Sequence, residues 1–87
     1  MDIFIHKSAE SFLQDIEQAV QKDIRDHLKS LSEDPYSNRL DIKKLKGIAK
    51  KPDLFRMRVK DFRIIYFVSE GVIWVTEIMR REKGYNF

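Results

Sequence analysis

Residues 55–79 read FRMRVKDFRIIYFVSEGVIWVTEIM, and this stretch decides the fold. The apolar residues Phe55, Met57 and Val59 alternate with arginines, which is the period-two pattern of a half-buried β-strand. Two longer apolar runs follow, and short polar links at 60–61 and 69–71 separate the three runs. We therefore predict three antiparallel strands joined by tight hairpins, with the last two strands at the centre of the sheet.

The N-terminal half has a different period. Residues 3–5 are apolar β-formers and predict a short strand, after which apolar residues recur at steps of three and four as far as Leu31. Ser8 is the predicted N-cap, and Pro35 ends the helical region. The pattern leaves open whether this region is one helix from Ser8 to about Leu31 or two helices with a break near 19–20. Residues 36–47 are predicted to be a polar connection.

These elements predict one α+β domain over residues 1–87: a small antiparallel β-sheet, made of the three-strand C-terminal meander plus the N-terminal strand, covered by the helical region. The chain has 87 residues, of which 43% are apolar and 36% charged, a globular composition. It contains no cysteine, which excludes a disulfide scaffold, an iron–sulfur site and a cysteine nucleophile. No apolar run reaches the roughly 18–20 residues of a membrane span, so we expect a cytoplasmic protein without membrane contact.

The net charge of +3 is unevenly distributed. Residues 1–42 carry five Lys and Arg against nine Asp and Glu, a net charge of −4, whereas residues 43–87 carry twelve against five, a net charge of +7. Such asymmetry predicts a basic face that attracts a polyanion, either nucleic acid or an acidic protein segment. The alternative is that the charge serves solubility only.

Arginines on the predicted strands are the most informative candidates for chemistry. The sequence has no glycine-rich phosphate loop, no GxSxG motif and no metal-spaced histidine pair, and His6 and His27 are expected to be structural or solvated. Arg56 and Arg58 share one face of a strand, Arg63 starts the next strand, and residues 80–81 are both arginine at the end of the last one. One guanidinium group can bind two phosphate oxygens at once, and it remains charged. We therefore predict a phosphate-binding surface. The alternative is a solvated sheet face whose charges prevent aggregation.

Several short motifs resemble the RelE/ParE superfamily of prokaryotic toxins from type II toxin–antitoxin systems, and most closely the RelE-like mRNA interferases. They are KSAE (7–10), DP (34–35), LKG (45–47), FRMRV (55–59), DFRIIY (61–66) and RRE (80–82) followed by Tyr85. The resemblance covers nearly the whole chain in order. It implies a small antiparallel sheet covered by a helical hairpin, and so adds the hairpin that the apolar pattern left open.

The resemblance also implies an activity and its residues. The implied function is that of a ribosome-dependent endoribonuclease, which inhibits translation by cleaving mRNA in the A site through attack of a 2′-hydroxyl, without metal or other cofactor. The catalytic residues that it implies are Arg56, Arg58, Arg63, Arg81 and Tyr85. Further basic residues are expected to contact RNA or the ribosome: Lys43, Lys44, Lys46, Lys50, Lys51, Arg80 and Lys83. RelE enzymes carry lysines, one of them the general base, at the positions of Arg56 and Arg58.

The implied partners are a cognate RelB-like antitoxin, the ribosome with its mRNA, and operator DNA that is bound only through the antitoxin. Two alternatives remain from the sequence. The first is a ParE-like inhibitor of DNA gyrase without nuclease activity, which would share the fold. The second is a binding module without toxicity.

Overall fold

The computed structural model describes residues 1–45 and 53–81. Within these residues five strands form one sheet, in the order β1-β5-β4-β3-β2. In chain order the elements are β1 (Asp2–Ile5), α1 (Lys7–Asp15), α2 (Gln18–Glu33), β2 (Asp41–Lys44), β3 (Leu54–Val59), β4 (Phe62–Ser69) and β5 (Val72–Arg80). Strands β3, β4 and β5 form the predicted antiparallel meander, with β4 and β5 inside the sheet. The predicted α+β class is confirmed.

The two outer strands differ from the prediction. Strand β2 lies in the segment predicted as a connection, and it pairs antiparallel with β3 as an edge strand. Strand β1 pairs with β5 in parallel, so the sheet is mixed. Both strands have only four residues, and Ile42 is the one side chain of β2 that packs against the core. The apolar residues 3–5 predict β1 but not the direction of its partner, and β2 has too few apolar residues to be predicted as a strand.

The helical region is a hairpin of two helices. The break falls at Ile16 and Glu17, where Ile16 has extended backbone angles, and not near 19–20. The apolar spacing continues across this break, which explains why the pattern did not locate it. Within the described part of the chain, neither helix is long and apolar enough to cross a membrane.

The helical hairpin has polar restraints at its start and between its helices. The N-cap of α1 is His6 and not Ser8, because the His6 imidazole Nδ1 accepts a hydrogen bond from the backbone N–H of Ser8 at 3.2 Å. An ion pair of 3.1 Å between Arg25 and Glu10 joins α2 to α1. The first contact caps α1, and the second is a partly exposed ion pair that links the two helices.

The hydrophobic core lies between the helices and one face of the sheet. The helices contribute buried side chains from Ala9, Leu13, Ile24, Leu28 and Leu31, and the sheet contributes Met57, Val59, Phe62, Ile64, Tyr66, Ile73, Val75 and Ile78. Burial raises the pKa of Tyr66 to about 12, and its ring stacks on Phe55 at 5.5 Å. The face of the sheet that turns away from the helices is called the open face below.

A β-bulge in β5 sets which residues reach the open face. Tyr66 pairs with Val75 and Ile65 pairs with Glu77, so Thr76 is an extra residue in the ladder. Val75 and Ile78 are therefore both in the core, although they are three residues apart. The side chains on either side of the bulge, Trp74 and Glu77, both take positions on the open face.

Candidate functional site

Strand register brings three of the predicted catalytic residues together on the open face. Arg58 of β3 lies directly opposite Arg63 of β4, and Arg56 lies opposite Ile65. Because residues two apart on a strand share a face at a spacing of roughly 7 Å, the three guanidinium groups are neighbours. We call Arg56, Arg58 and Arg63 the arginine cluster.

The arginine cluster is partly buried, and Arg56 is buried more than its charge would normally allow. Only 8% of Arg56 is exposed. Among the described residues, the buried nitrogens Arg56 Nη1, Arg58 Nε and Arg63 Nε have no hydrogen-bond partner. A buried donor without an acceptor is unfavourable, and a buried cation without a counter-ion is more so. The cluster therefore has the donors and the charge to bind an anion such as a phosphate group.

One carboxylate lies against the arginine cluster. Asp41 of β2 is opposite Arg58 in the ladder. Its Oδ1 lies 3.7 Å from Arg56 Nη2 and its Oδ2 lies 3.6 Å from Arg58 Nε. These distances exceed those of hydrogen bonds, so Asp41 offsets part of the positive charge and leaves the donors unsatisfied. Asp41 was not among the predicted site residues, because its position depends on the pairing of β2 with β3.

The described lysines of the predicted RNA-binding set lie on different faces. Lys43 is opposite Arg56 and extends the positive charge of the open face to the edge strand. Lys44 is opposite Phe55, on the other face, and its Nζ lies 3.1 Å from Asp53 Oδ2. Lys43 therefore lies beside the arginine cluster, and Lys44 lies on the opposite face of the sheet.

The two arginines at the end of β5 also point in different directions. Arg80 is opposite Phe62 on the helix-covered face, and its guanidinium carbon lies 4.9 Å from the centre of the Phe62 ring. Arg81 is exposed, and its backbone N–H donates to the Asp61 carbonyl at 2.6 Å. Met79 is on the open face, and Arg81, two residues further along the chain, lies on the same side. The remaining predicted site residues, Tyr85, Lys46, Lys50, Lys51 and Lys83, lie outside the described residues.

Neither histidine faces the arginine cluster. His6 caps α1, and His27 on α2 forms a 2.7 Å hydrogen bond between its Nδ1 and the Asp23 carbonyl. Glu77 is exposed on the open face opposite Ile65. In the described ranges there is no group of three or more side chains of the types that bind metal ions. The site is therefore an arginine cluster with carboxylates beside it.

Comparisons with known proteins identify the family. The family described as the ParE toxin of the type II toxin–antitoxin system parDE matches residues 3–85. The archaeal RelE–RelB complex from Pyrococcus horikoshii OT3 contains a chain that is 28% identical, with a TM-score of 0.81 over 95% of this chain and 97% of that chain. The RelB–RelE antitoxin–toxin complex from Methanococcus jannaschii gives 24% identity and a TM-score of 0.72, over 90% of each chain.

The isolated RelE toxin of E. coli shares the fold at 16% identity, with a TM-score of 0.74 over 95% of this chain and 86% of that chain. A search of curated proteins found no match. The family match covers nearly the whole chain, and the solved structures agree with it in fold. The chain therefore belongs to the ParE toxin family, within the RelE/ParE superfamily, and is a toxin of a type II toxin–antitoxin system with a RelE-like fold.

Proposed function

We propose that this toxin is a ribosome-dependent endoribonuclease that cleaves mRNA in the A site and so inhibits translation. The observation that carries the proposal is the set of three buried guanidinium nitrogens on one sheet face that have no hydrogen-bond partner among residues 1–45 and 53–81. Preorganised donors of this kind stabilise the charge that develops on a phosphate during cleavage. A role in solubility alone would give no reason to bury Arg56.

The proposed reaction uses a nucleophile from the RNA itself. The 2′-oxygen of the ribose forms a bond to the scissile phosphorus, and the bond from phosphorus to the 5′-oxygen breaks. The products are a 2′,3′-cyclic phosphate and a 5′-hydroxyl, so one proton leaves the 2′-hydroxyl and one reaches the departing 5′-oxygen. Arginine side chains keep their protons, so we assign the cluster to binding and charge stabilisation and not to proton transfer. Of the carboxylates on the open face, Asp41 lies against Arg56 and Arg58.

The proposal includes partners. Two of the solved structures that resemble this chain are complexes of RelE with RelB, which supports a RelB-like antitoxin as the partner that keeps this toxin inactive. The ribosome and its mRNA are the proposed targets in the cytoplasm, and operator DNA is proposed to be bound only through the antitoxin. The remaining predicted catalytic residues, Arg81 and Tyr85, are proposed to complete the site around the scissile phosphate.

Primer extension on mRNA in a translating extract tests the proposal. The wild-type toxin is expected to produce new cuts inside codons, and Arg58→Ala is expected to reduce cutting by about 10²–10³-fold, as the loss of one transition-state donor does. Arg39→Ala is the matched control, because Arg39 is an exposed arginine outside the sheet. Cutting that is equally strong in Arg58→Ala, or absent in the wild type, would contradict the assignment.

The family match supports a second candidate, inhibition of DNA gyrase without RNA cleavage, because the matched family is that of ParE toxins. Supercoiling by purified gyrase at excess toxin separates the two functions. Under the first proposal supercoiling continues unchanged. Inhibition of gyrase together with intact mRNA would support the second candidate.

A further inference from the structure

Three aromatic side chains form a row across the open face. Phe67 of β4 is opposite Trp74 of β5, and Trp74 is opposite Phe4 of β1. The ring centres of Phe4 and Trp74 are 5.2 Å apart, and those of Phe67 and Trp74 are 6.2 Å apart with only 15° between the ring planes. Phe4 is 61% exposed, although aromatic side chains of this size are normally well covered. We call these three residues the aromatic row.

The aromatic row adjoins a concave, apolar surface. A cavity of about 320 Å³ is lined by all three rings together with Ile5, His6, Lys7, Val75 and Thr76. The Trp74 indole Nε1 donates to the Ser69 carbonyl at 3.4 Å, which restricts the orientation of the ring. The row is therefore a preformed platform and not a set of isolated surface rings.

The aromatic row and the arginine cluster share the open face. Phe67 and Arg63 are both on β4, four residues apart, which corresponds to about 13 Å along the strand. Arg56, which belongs to the cluster, and its neighbour Lys43 lie in the row of residues between Arg63 and Phe67. A ligand that lies along β4 can therefore contact the rings at one end and the guanidinium groups at the other.

Single-stranded nucleic acid has the chemistry that matches this arrangement, because it alternates phosphates with planar bases. Proteins bind such strands by combining a positively charged surface with aromatic rings on which bases stack. An acidic peptide would neutralise the arginine cluster, but it would not need a row of three adjoining rings, two of them near-parallel, on the same face. Charge and ring geometry together favour RNA as the occupant.

We propose that the aromatic row of Phe4, Phe67 and Trp74 is a base-stacking site for single-stranded RNA, adjacent to the phosphate that the arginine cluster binds. The proposal rests on the proposed function to the extent that it takes RNA as the ligand of the cluster. It adds a second contact region, on the half of the open face that the nuclease assignment does not use.

The intrinsic fluorescence of the protein gives a direct test, because Trp74 is its single tryptophan. A 12-nucleotide oligouridylate is titrated into the free toxin, and inorganic polyphosphate of equal charge serves as a probe without bases. RNA is expected to quench Trp74 in a saturable way, and polyphosphate is expected to bind without this quench. Phe4→Ala is expected to weaken RNA binding by about 5- to 160-fold, the range for loss of one base–aromatic stack, and to leave polyphosphate binding unchanged.

Tyr36→Ala is the matched control, because Tyr36 is an exposed aromatic residue, at 84%, outside the sheet. One contrary result is that RNA binds without quenching Trp74 and that Phe4→Ala binds it as tightly as the wild type. The proposal of a stacking site is then wrong, while RNA remains the ligand of the arginine cluster. If the free toxin binds no oligouridylate, the stacking site is also overturned, and the cleavage assay in translating extract decides the nuclease separately. If only a co-expressed antitoxin changes Trp74 fluorescence, the aromatic row is a protein-binding surface and the proposal fails.

Discussion

Arg58 and Arg63 lie directly opposite each other on neighbouring strands, and the Nε of each is buried without a hydrogen-bond partner among the described residues. Like charges in this position destabilise an antiparallel pair. A nearby carboxylate, Asp41, contacts only the β3 side of this pair, 3.6 Å from Arg58. The arrangement is unfavourable for the free toxin, and an anion bound beside both guanidinium groups would offset the repulsion, so the proposed function and stability are opposed here.

The first prediction tests this opposition. Arg63→Met is expected to raise the free energy of unfolding by about 0.2–1 kcal/mol, because it removes a like-charge cross-strand pair and adds an apolar contact beside Met79. Urea denaturation at low salt measures the change. Arg39→Met removes an arginine outside the sheet and is expected to have no effect of this size. Destabilisation by Arg63→Met would show that the pair is already balanced by groups within the free protein.

A second prediction concerns the turn between β4 and β5. Ser69 and Val72 are paired, so Glu70 and Gly71 form a two-residue loop, and both have positive φ, 53° and 75°. Such loops prefer Asn-Gly, because a left-handed conformation is unfavourable for most side chains. Glu70→Asn is therefore expected to stabilise the fold by about 0.5–1 kcal/mol in urea denaturation.

The converse substitution at this turn is the control. A Cβ added at Gly71 would have no atom within 4 Å, so Gly71→Ala meets no steric contact with the rest of the protein. Its expected cost of roughly 1–2 kcal/mol would come from the backbone conformation alone. If Gly71→Ala were neutral, the turn would not require the left-handed conformation, and the gain expected for Glu70→Asn would lose its basis.

Much of the sheet could be predicted from the sequence because its central strands bury one or both faces. Residues 62–69 and 72–80 are long apolar runs with a short polar link between them. The runs predict two strands, and the link predicts that the strands are neighbours in the meander. The edge strand β2 has one inward side chain, Ile42, and its pairing depends on the neighbouring β3. A short edge strand of this kind is determined by tertiary contacts that no local pattern contains.

The arginine cluster could be predicted because alternation along β3 and a tight hairpin to β4 place Arg56, Arg58 and Arg63 on one face. The position of Asp41 could not, since it depends on the pairing of β2. The aromatic row was also missed. Phe67 and Trp74 belong to one hairpin, but Phe4 comes from β1 at the other end of the chain, so the shared face of the three rings appears only in the parallel pairing of β1 with β5.

A third prediction uses the ion pair between Lys60, in the β3–β4 hairpin, and Asp23 on α2. The hydrogen bond from Lys60 is the main cause that lowers the pKa of Asp23 from its ordinary 3.8, with smaller contributions from His27 and Lys22. The hydrogen bond to Asp23 raises the pKa of Lys60 above 10.5, and Glu17 adds to this. The carboxylate therefore contributes stability above pH 3.8 that is lost as the pH falls through its lowered pKa. The ammonium contributes stability below pH 10.5 that is lost as the pH rises through its raised pKa.

Lys60→Gln is accordingly expected to be less stable than the wild type between about pH 5 and pH 9, with a difference that shrinks in acid and in strong base. Thermal unfolding across this range measures the difference, and added salt should reduce it because the pair is solvent-accessible. Lys22→Gln removes an ion pair between two exposed side chains on α2 and serves as the control. A difference that persists unchanged to pH 2 would mean that the substitution acts through the turn and not through the charge.

The last prediction concerns the carboxylate beside the arginine cluster. Asp41 is 3.7 Å from Arg56 Nη2 and 3.6 Å from Arg58 Nε, and 55% of its side chain is exposed. A bound phosphate would share these donors with it and would be repelled by its charge. Asp41→Asn is therefore expected to bind inorganic phosphate about two- to five-fold more tightly, the equivalent of a partly exposed charge interaction of up to about 1 kcal/mol.

The increase in melting temperature with phosphate concentration measures this affinity, because a ligand that binds only the folded state stabilises it by mass action. Asp26→Asn is the matched control, since Asp26 is an exposed aspartate on α2 that pairs with Lys22 and lies apart from the open face. The control should bind phosphate as the wild type does. If Asp41→Asn instead binds phosphate more weakly, the carboxylate holds Arg56 and Arg58 in their binding geometry, and its main role is to position the cluster for the anion.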